Sequence, residues 1–184
     1  MKRNNINAIL AVFLVVIAAT SRIINAEWHI YNLVPITAIS LFCGAVMKEK
    51  RALAFLIPLL GQFIPDVFFQ FFTETTGFYP GQLLNYVALI AATALGTTMK
   101  QPKVLGTLAY LLGASTVFFI ISNFGHFASG YNGYTASGFM KTYIDAIPFF
   151  KNTVLGDMVG GILLFGGYYL AQQAFVKKAE KAAI

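Results

Sequence analysis

Apolar residues run through this chain in long blocks, without the alternating or one-sided patterns of soluble elements. Six blocks stand out, at approximately residues 6–24, 33–47, 52–72, 82–99, 104–124 and 153–176. About 20 apolar residues in helical conformation cross the hydrocarbon core of a bilayer, and every block except the second is long enough. The second is short at the end where Pro35 sits. Proline is tolerated in the first helical turn, so the helix is predicted to start there. The pattern predicts an all-α, polytopic membrane protein: a single domain over residues 1–184 with six transmembrane helices. Between the last two blocks lies the longest connection, residues 125–151. It opens with small and aromatic residues (Gly130, Tyr131, Gly133, Tyr134, Gly138) and continues through Met140, Tyr143, Ile144 and Ile147, which make a helical stripe. A loop followed by a short interfacial helix is expected here. An ordinary aromatic belt at the membrane surface fits the same residues.

The basic residues orient the blocks. Lys2 and Arg3, then Lys48, Lys50 and Arg51, then Lys100 and Lys103, then Lys177, Lys178 and Lys181 flank one side. Only Arg22, Lys141 and Lys151 flank the other. This alternation places both termini in the cytoplasm by the positive-inside rule. It also accounts for the net charge of +6 as a topology signal, with no nucleic-acid patch. The first block, preceded by Lys2 and Arg3 and followed by Asn25-Ala26, has some features of a signal peptide. It is long for one, and its removal would break the alternation, so it is read as a span.

Composition narrows the classes further. The chain is 58% hydrophobic and only 11% charged, against roughly a quarter charged in a soluble domain. A disordered segment is excluded, and six spans in 184 residues leave no room for a separate soluble domain. The single cysteine excludes a disulfide within the chain and any multi-cysteine metal site. No phosphate-binding loop, His-Glu-x-x-His or Gly-x-Ser-x-Gly is present. No cofactor is expected.

Depth makes the polar residues informative. With the orientation above, Arg22 ends the first span on the outer side. Gln62, Asp66 and Gln70 lie at i, i+4 and i+8 in the outer half of the third, on one face. Asn85 occupies the outer turns of the fourth, Asn123 and His126 close the fifth, and Asp157 begins the sixth. A carboxylate facing lipid is penalised by about 2.5–3.5 kcal/mol at a helix centre. These groups are therefore expected to turn inward and line one outward-facing polar cavity, with Arg22 pairing with one of the two aspartates. Pro58 and Pro65 are expected to distort the third helix and free carbonyls near Asp66. Gly156, Gly160, Gly161, Gly166 and Gly167 suggest close helix packing on the sixth.

Several stretches carry a resemblance. They are Asn32-Leu-Val-Pro-Ile-Thr-Ala-Ile-Ser-Leu-Phe-Cys-Gly-Ala-Val, Ile57-Pro-Leu-Leu with Asp66, Ser122-Asn-Phe-Gly-His, and Ala146-Ile-Pro-Phe-Phe-Lys-Asn with Gly156-Asp157. Through them the chain resembles a bacterial family of six-span membrane proteins of unknown function. That family is similar in size and plan to the substrate-binding S components of energy-coupling-factor (ECF) transporters. The resemblance implies residence in the bacterial inner membrane and capture of a vitamin or other micronutrient under the first and last outer loops. It also implies energisation by a separate coupling subunit with two ATPases. Ala8, Ala11, Ala18 and Ala19 of the first span do not give the Ala-x-x-x-Ala spacing with which S components meet that subunit.

The function expected is uptake of a small nutrient from the outer side, not catalysis. Arg22, Gln62, Asp66, Gln70, Asn85, Asn123, His126 and Asp157 would hold the solute, with Trp28 and the tyrosines of the last outer connection stacking over it. Two other classes compete. One is a membrane enzyme using Asp66, Asp157 and His126 as acid–base groups. The other is a scaffold whose polar groups only tie helices together.

Overall fold

The computed structural model describes residues 3–100 and 104–182, with side chains placed for residues 9–100 and 104–174. Of the orienting residues, Lys2 and Lys103 lie outside the described residues, as do the side chains of Arg3, Lys177, Lys178 and Lys181. The described chain is helical, with no strand: α1 (Arg3–Glu27), α2 (Ile36–Val46), a 3₁₀ turn (Lys48–Lys50), α3 (Arg51–Phe72), α4 (Leu83–Thr97), α5 (Val104–Ala128) and α6 (Ala136–Ala182).

Four helices, α1, α3, α5 and α6, are long and apolar enough to cross a membrane; α2 and α4 are apolar but shorter. At 1.5 Å per residue, the 11 residues of α2 and the 15 of α4 rise about 16 and 22 Å, against a hydrocarbon core of about 30 Å. The fourth block thus forms a shorter helix than its apolar length predicts. Thr97 and Thr98 turn their hydroxyls onto the carbonyls of Ala94 and Leu95 at its end.

The 47 residues of α6 depart most from expectation. The predicted interfacial helix and the sixth span are one helix, with Pro148 inside it. Its first turns carry the exposed Lys141–Asp145 pair, while Thr142 is buried and accepts a hydrogen bond from Asn132 at 2.9 Å.

The packing is inside-out relative to a soluble protein. Large apolar side chains are exposed along every outer helix, among them Ile9, Val12, Phe13 and Val16 on α1, Leu56 and Phe63 on α3, Leu112 and Ile120 on α5, and Leu155, Val159 and Leu163 on α6. The interior, in contrast, holds Thr37, Ser40, Gln62, Asp66, Thr93, Ser115 and Asp157 beside its aliphatic core. An apolar surface on this scale marks a surface that meets lipid or another protein. The chain is accordingly a multi-pass membrane protein in its surface chemistry.

Helix α2 is the centre. Nine of its residues, Ile36 to Gly44, are buried, and α3, α4, α5 and α6 pack around it, while α1 lies outside and rests mainly on α3. An apolar helix enclosed on all sides needs no polar face. Its closest neighbour is α4, where glycines bring the two backbones together. A Cβ on Gly44 would lie 2.0 Å from the Thr93 carbonyl oxygen, and one on Gly96 would lie 2.2 Å from that of Leu41. On the other side α1 reaches α3 through Gly61, where a Cβ would lie 2.6 Å from that of Ala18.

Candidate functional site

The polar stripe of α3 is the starting point. Gln62 and Asp66 face inward and are buried. The Asp66 carboxylate is surrounded by donors: Arg22 Nη1 donates to Oδ1, while the Tyr86 hydroxyl and, at 3.4 Å, Gln62 Nε2 donate to Oδ2. Arg22 Nη1 also donates to the main-chain oxygen of Gln62 at 2.9 Å. This oxygen neighbours the Gly61 carbonyl, whose helical partner is removed by Pro65. The guanidinium lies 5.5 Å from the centroid of the Phe69 ring, within cation–π range. An isolated carboxylate in such surroundings would be costly, and here three side chains compensate it. Arg22 is 22% exposed, whereas Asp66 is wholly buried. Both of these hydrogen bonds use Nη1 of a five-donor group, and Arg22 also lines a cavity beside the ion pair.

That cavity has a volume of about 370 Å³, in the range of small-molecule pockets. It lies where α1, α3 and α5 end and where α2 and α4 begin, and α6 crosses it midway. Its polar lining is Arg22, Asn25, Asn32, Gln62, Thr75, Thr76, Asn85, Ser122, Asn123, His126 and Thr153. Its aromatic lining is Tyr31, Phe69, Tyr79, Phe118, Phe119, Phe149 and Phe150. Two polar tethers shape the α1–α2 rim. Asn25 donates to the Leu33 carbonyl, and Asn152 donates to that of Tyr31 at 2.9 Å. Asn32 has φ 65°, a left-handed conformation that asparagine tolerates.

The connection between α3 and α4, residues 73–82, supplies one wall through Thr75, Thr76, Tyr79 and Gly81. It folds back onto α3 at Gly77, where a Cβ would lie 1.9 Å from the Asp66 carbonyl oxygen. Gln70 fastens it by accepting from the Phe78 N–H at 3.1 Å. Gln82 accepts from the Tyr79 N–H at 3.1 Å, and Asn85 Nδ2 donates to the Tyr79 hydroxyl at 2.6 Å. Burial pushes the pKa of that hydroxyl above its ordinary value of 10.0.

Five of the eight expected residues, Arg22, Gln62, Asn85, Asn123 and His126, line this cavity, and Asp66 lies directly behind Arg22. The other two do not line it. Gln70 is exposed and holds the 73–82 connection. Asp157, on α6, is buried in the bundle and serves the start of α2. Its Oδ1 accepts from the Ala38 N–H at 2.8 Å, and its Oδ2 from Ser115 at 2.7 Å. Ala38 is the third residue of α2, and Pro35 before the helix offers no side-chain cap. The carboxylate of α6 therefore caps a helix whose own sequence cannot do so. Gly156 and Gly160 permit this approach: a Cβ on Gly160 would lie 2.3 Å from that of Pro35, and one on Gly156 would lie 3.0 Å from Val34 N.

The stacking groups also differ from expectation. Trp28 is exposed and absent from the lining, as are Tyr131 and Tyr134, although Tyr131 packs 4.8 Å from the His126 ring. Phenylalanines of α5 and α6 take that place, with Phe119 and Phe150 only 4.6 Å apart. Sequence reasoning missed these rings, Tyr86 and the whole 73–82 wall. Gly77 and Pro80-Gly81 were turn signals, but nothing in them says where the turn folds. Among the described residues no group of three or more His, Cys, Asp and Glu is placed to hold a metal ion.

Comparison with known proteins gives a family without an assigned activity. No curated protein and no solved structure matches the chain. The model of a family of unknown function, DUF6580, matches residues 2–181, nearly the whole chain, and the protein belongs to that family.

Proposed function

We propose that this protein is a membrane-embedded binding protein that takes up a small water-soluble solute, such as a vitamin or a precursor, from the outer side of a bacterial inner membrane. In this reading α2 and α4 cross the bilayer together with their flanking turns, giving six spans. The cavity end is outside, because the described basic residues Lys48, Lys50, Arg51 and Lys100 gather at the other end. One observation carries the reading: all six helices bring side chains to one cavity, lined by polar and aromatic groups together, at one end of the bundle. Scattered helix-tying hydrogen bonds would not produce that convergence.

The chemistry suggests the kind of solute. Asp66 offsets the charge of Arg22, so the site suits a planar ring carrying amide, hydroxyl or carboxylate groups more than a strong cation. The rings of Phe118, Phe119 and Phe149 offer apolar contact, and Asn85, Asn123 and His126 supply hydrogen bonds. Binding is favoured over acid–base catalysis because Asp66, Asp157 and His126 do not converge; only His126 lines the cavity. Movement of the solute onward would need an energy source outside this chain, for which a coupling subunit with ATPases of the ECF type is the natural candidate.

A thermal-shift screen of vitamins and their precursors on the purified protein tests the proposal. A ligand at 100 times its dissociation constant adds about 2.7 kcal/mol of stability. The double variant Asn123→Ala/His126→Ala should fold and lose that stabilisation. Failure of every nutrient-class compound to stabilise the wild type, or equal stabilisation of the double variant, rejects it.

A further inference from the structure

A second groove, of about 800 Å³, lies at the opposite end of the bundle. It is formed where α2 and α4 end, where α5 begins, and along the later turns of α6. Its walls are apolar, with Leu108, Leu111, Ile162 and Phe165 among them, and Lys48 and Lys100 also line it. Both lysines are exposed, and no Asp or Glu is present in the lining. Lys48 donates from Nζ to the Met99 carbonyl. That bond fixes the ammonium at the groove and uses one of its three donors. Gly166 leaves the space open: a Cβ there would meet nothing within 4 Å. The groove is continuous with the lipid-facing surface through Val104 and Ile162, both exposed.

We propose that this groove is a specific site for an anionic phospholipid. One acyl chain lies along the apolar walls, and the phosphate is held by Lys48 and Lys100. Charge complementarity selects this occupant: two ammonium groups without a lining carboxylate stand at the end of an apolar trough that opens towards lipid. Basic pockets between membrane helices near the cytoplasmic surface take anionic head groups for the same reason. The inference rests on the chain residing in a membrane, and is independent of solute uptake.

The test is native mass spectrometry of the full chain released from micelles containing phosphatidylglycerol or phosphatidylcholine with matched acyl chains. The wild type should retain phosphatidylglycerol several-fold better. Lys100→Gln should lower that preference roughly fivefold, corresponding to ~1 kcal/mol per lysine, and leave phosphatidylcholine retention unchanged. Gly166→Leu, which fills the groove from an open position, should reduce retention of both lipids. Neither variant should alter stabilisation by a ligand of the other cavity, so the two proposals fail separately. Equal retention of the two lipids by the wild type overturns the proposal, as does undiminished phosphatidylglycerol retention by Gly166→Leu. Binding of the chain-free head group as tightly as the lipid would also overturn it. So would a two-chain species lost on Gly166→Leu, which would seat a second copy in the groove.

Discussion

Replacing Asp157 by alanine tests the division of labour between the two buried aspartates. The side chain accepts from the N–H of Ala38, 119 positions away in sequence, at 2.8 Å and from the Ser115 hydroxyl at 2.7 Å. Alanine removes a helix N-cap, a loss of about 1 kcal/mol. It also leaves the buried Ala38 N–H unsatisfied, at about 1–3 kcal/mol, while the Ser115 hydroxyl keeps the Leu111 carbonyl as an acceptor at 3.0 Å. Ala38 and Ser115 are both 0% exposed, so water does not replace the lost acceptor. The expected destabilisation is about 2–4 kcal/mol in all. Asp157→Asn keeps a carbonyl oxygen for Ala38, and the Ser115 hydroxyl can turn to accept from the new amide, so its loss should stay near 1 kcal/mol. Equilibrium unfolding in mixed micelles should rank wild type, Asn and Ala in that order, while the asparagine variant binds cavity ligands as the wild type does. Equal stability of wild type and Asp157→Ala would refute the capping role. A well-folded Asp157→Asn protein that no longer binds ligand would return Asp157 to the solute site.

Three further outcomes follow from the geometry. Alanine at Gly44 or Gly96 meets a carbonyl oxygen of the facing helix at 2.0 or 2.2 Å; backbone cannot yield as a side chain can, so each should lose at least the 1–3 kcal/mol typical of overpacking, seen as a lower unfolding midpoint. Gln70→Ala should release the 73–82 connection at the expense of about 1 kcal/mol locally, detected as faster hydrogen exchange at Phe78 with little change in the global midpoint. The raised pKa of Tyr79 means that the folded state holds this proton more tightly than the unfolded chain. Its contribution is therefore fully present below about pH 10 and lost as pH rises through the folded value. Tyr79→Phe should flatten that alkaline decline in a pH series of unfolding midpoints.

Much of the helical plan was legible because apolar block length is a direct reading of bilayer thickness. What escaped was set by contacts between distant segments. The small and aromatic residues of the 125–151 connection read as a loop and a short interfacial helix apart from the sixth span. Yet a long apolar helix tolerates an internal proline, and Gly138 lets the preceding connection fold close, with a Cβ position 2.3 Å from the Asn132 carbonyl oxygen. For the site, depth alone gathered Arg22, Gln62, Asp66, Asn85, Asn123 and His126 at one end. Depth could not separate Asp66 from Asp157, which lie in similar outer positions. The separation comes from Pro35, which leaves α2 without its own cap, and from Gly156 and Gly160, which bring α6 against it. Tyr86 escaped because tyrosine in an apolar block reads as packing until its hydroxyl is seen against Asp66.

The distant capping of α2 has a consequence for biogenesis. The second helix leaves the ribosome early, but the carboxylate that completes its first turn is synthesised 119 residues after Ala38. Until α6 is made, the leading end of α2 has no acceptor from that helix, and the helices that will enclose it arrive one at a time. Chains halted before Asp157 should accordingly be targets for membrane quality control, and α6 acts as the latch that closes the start of α2.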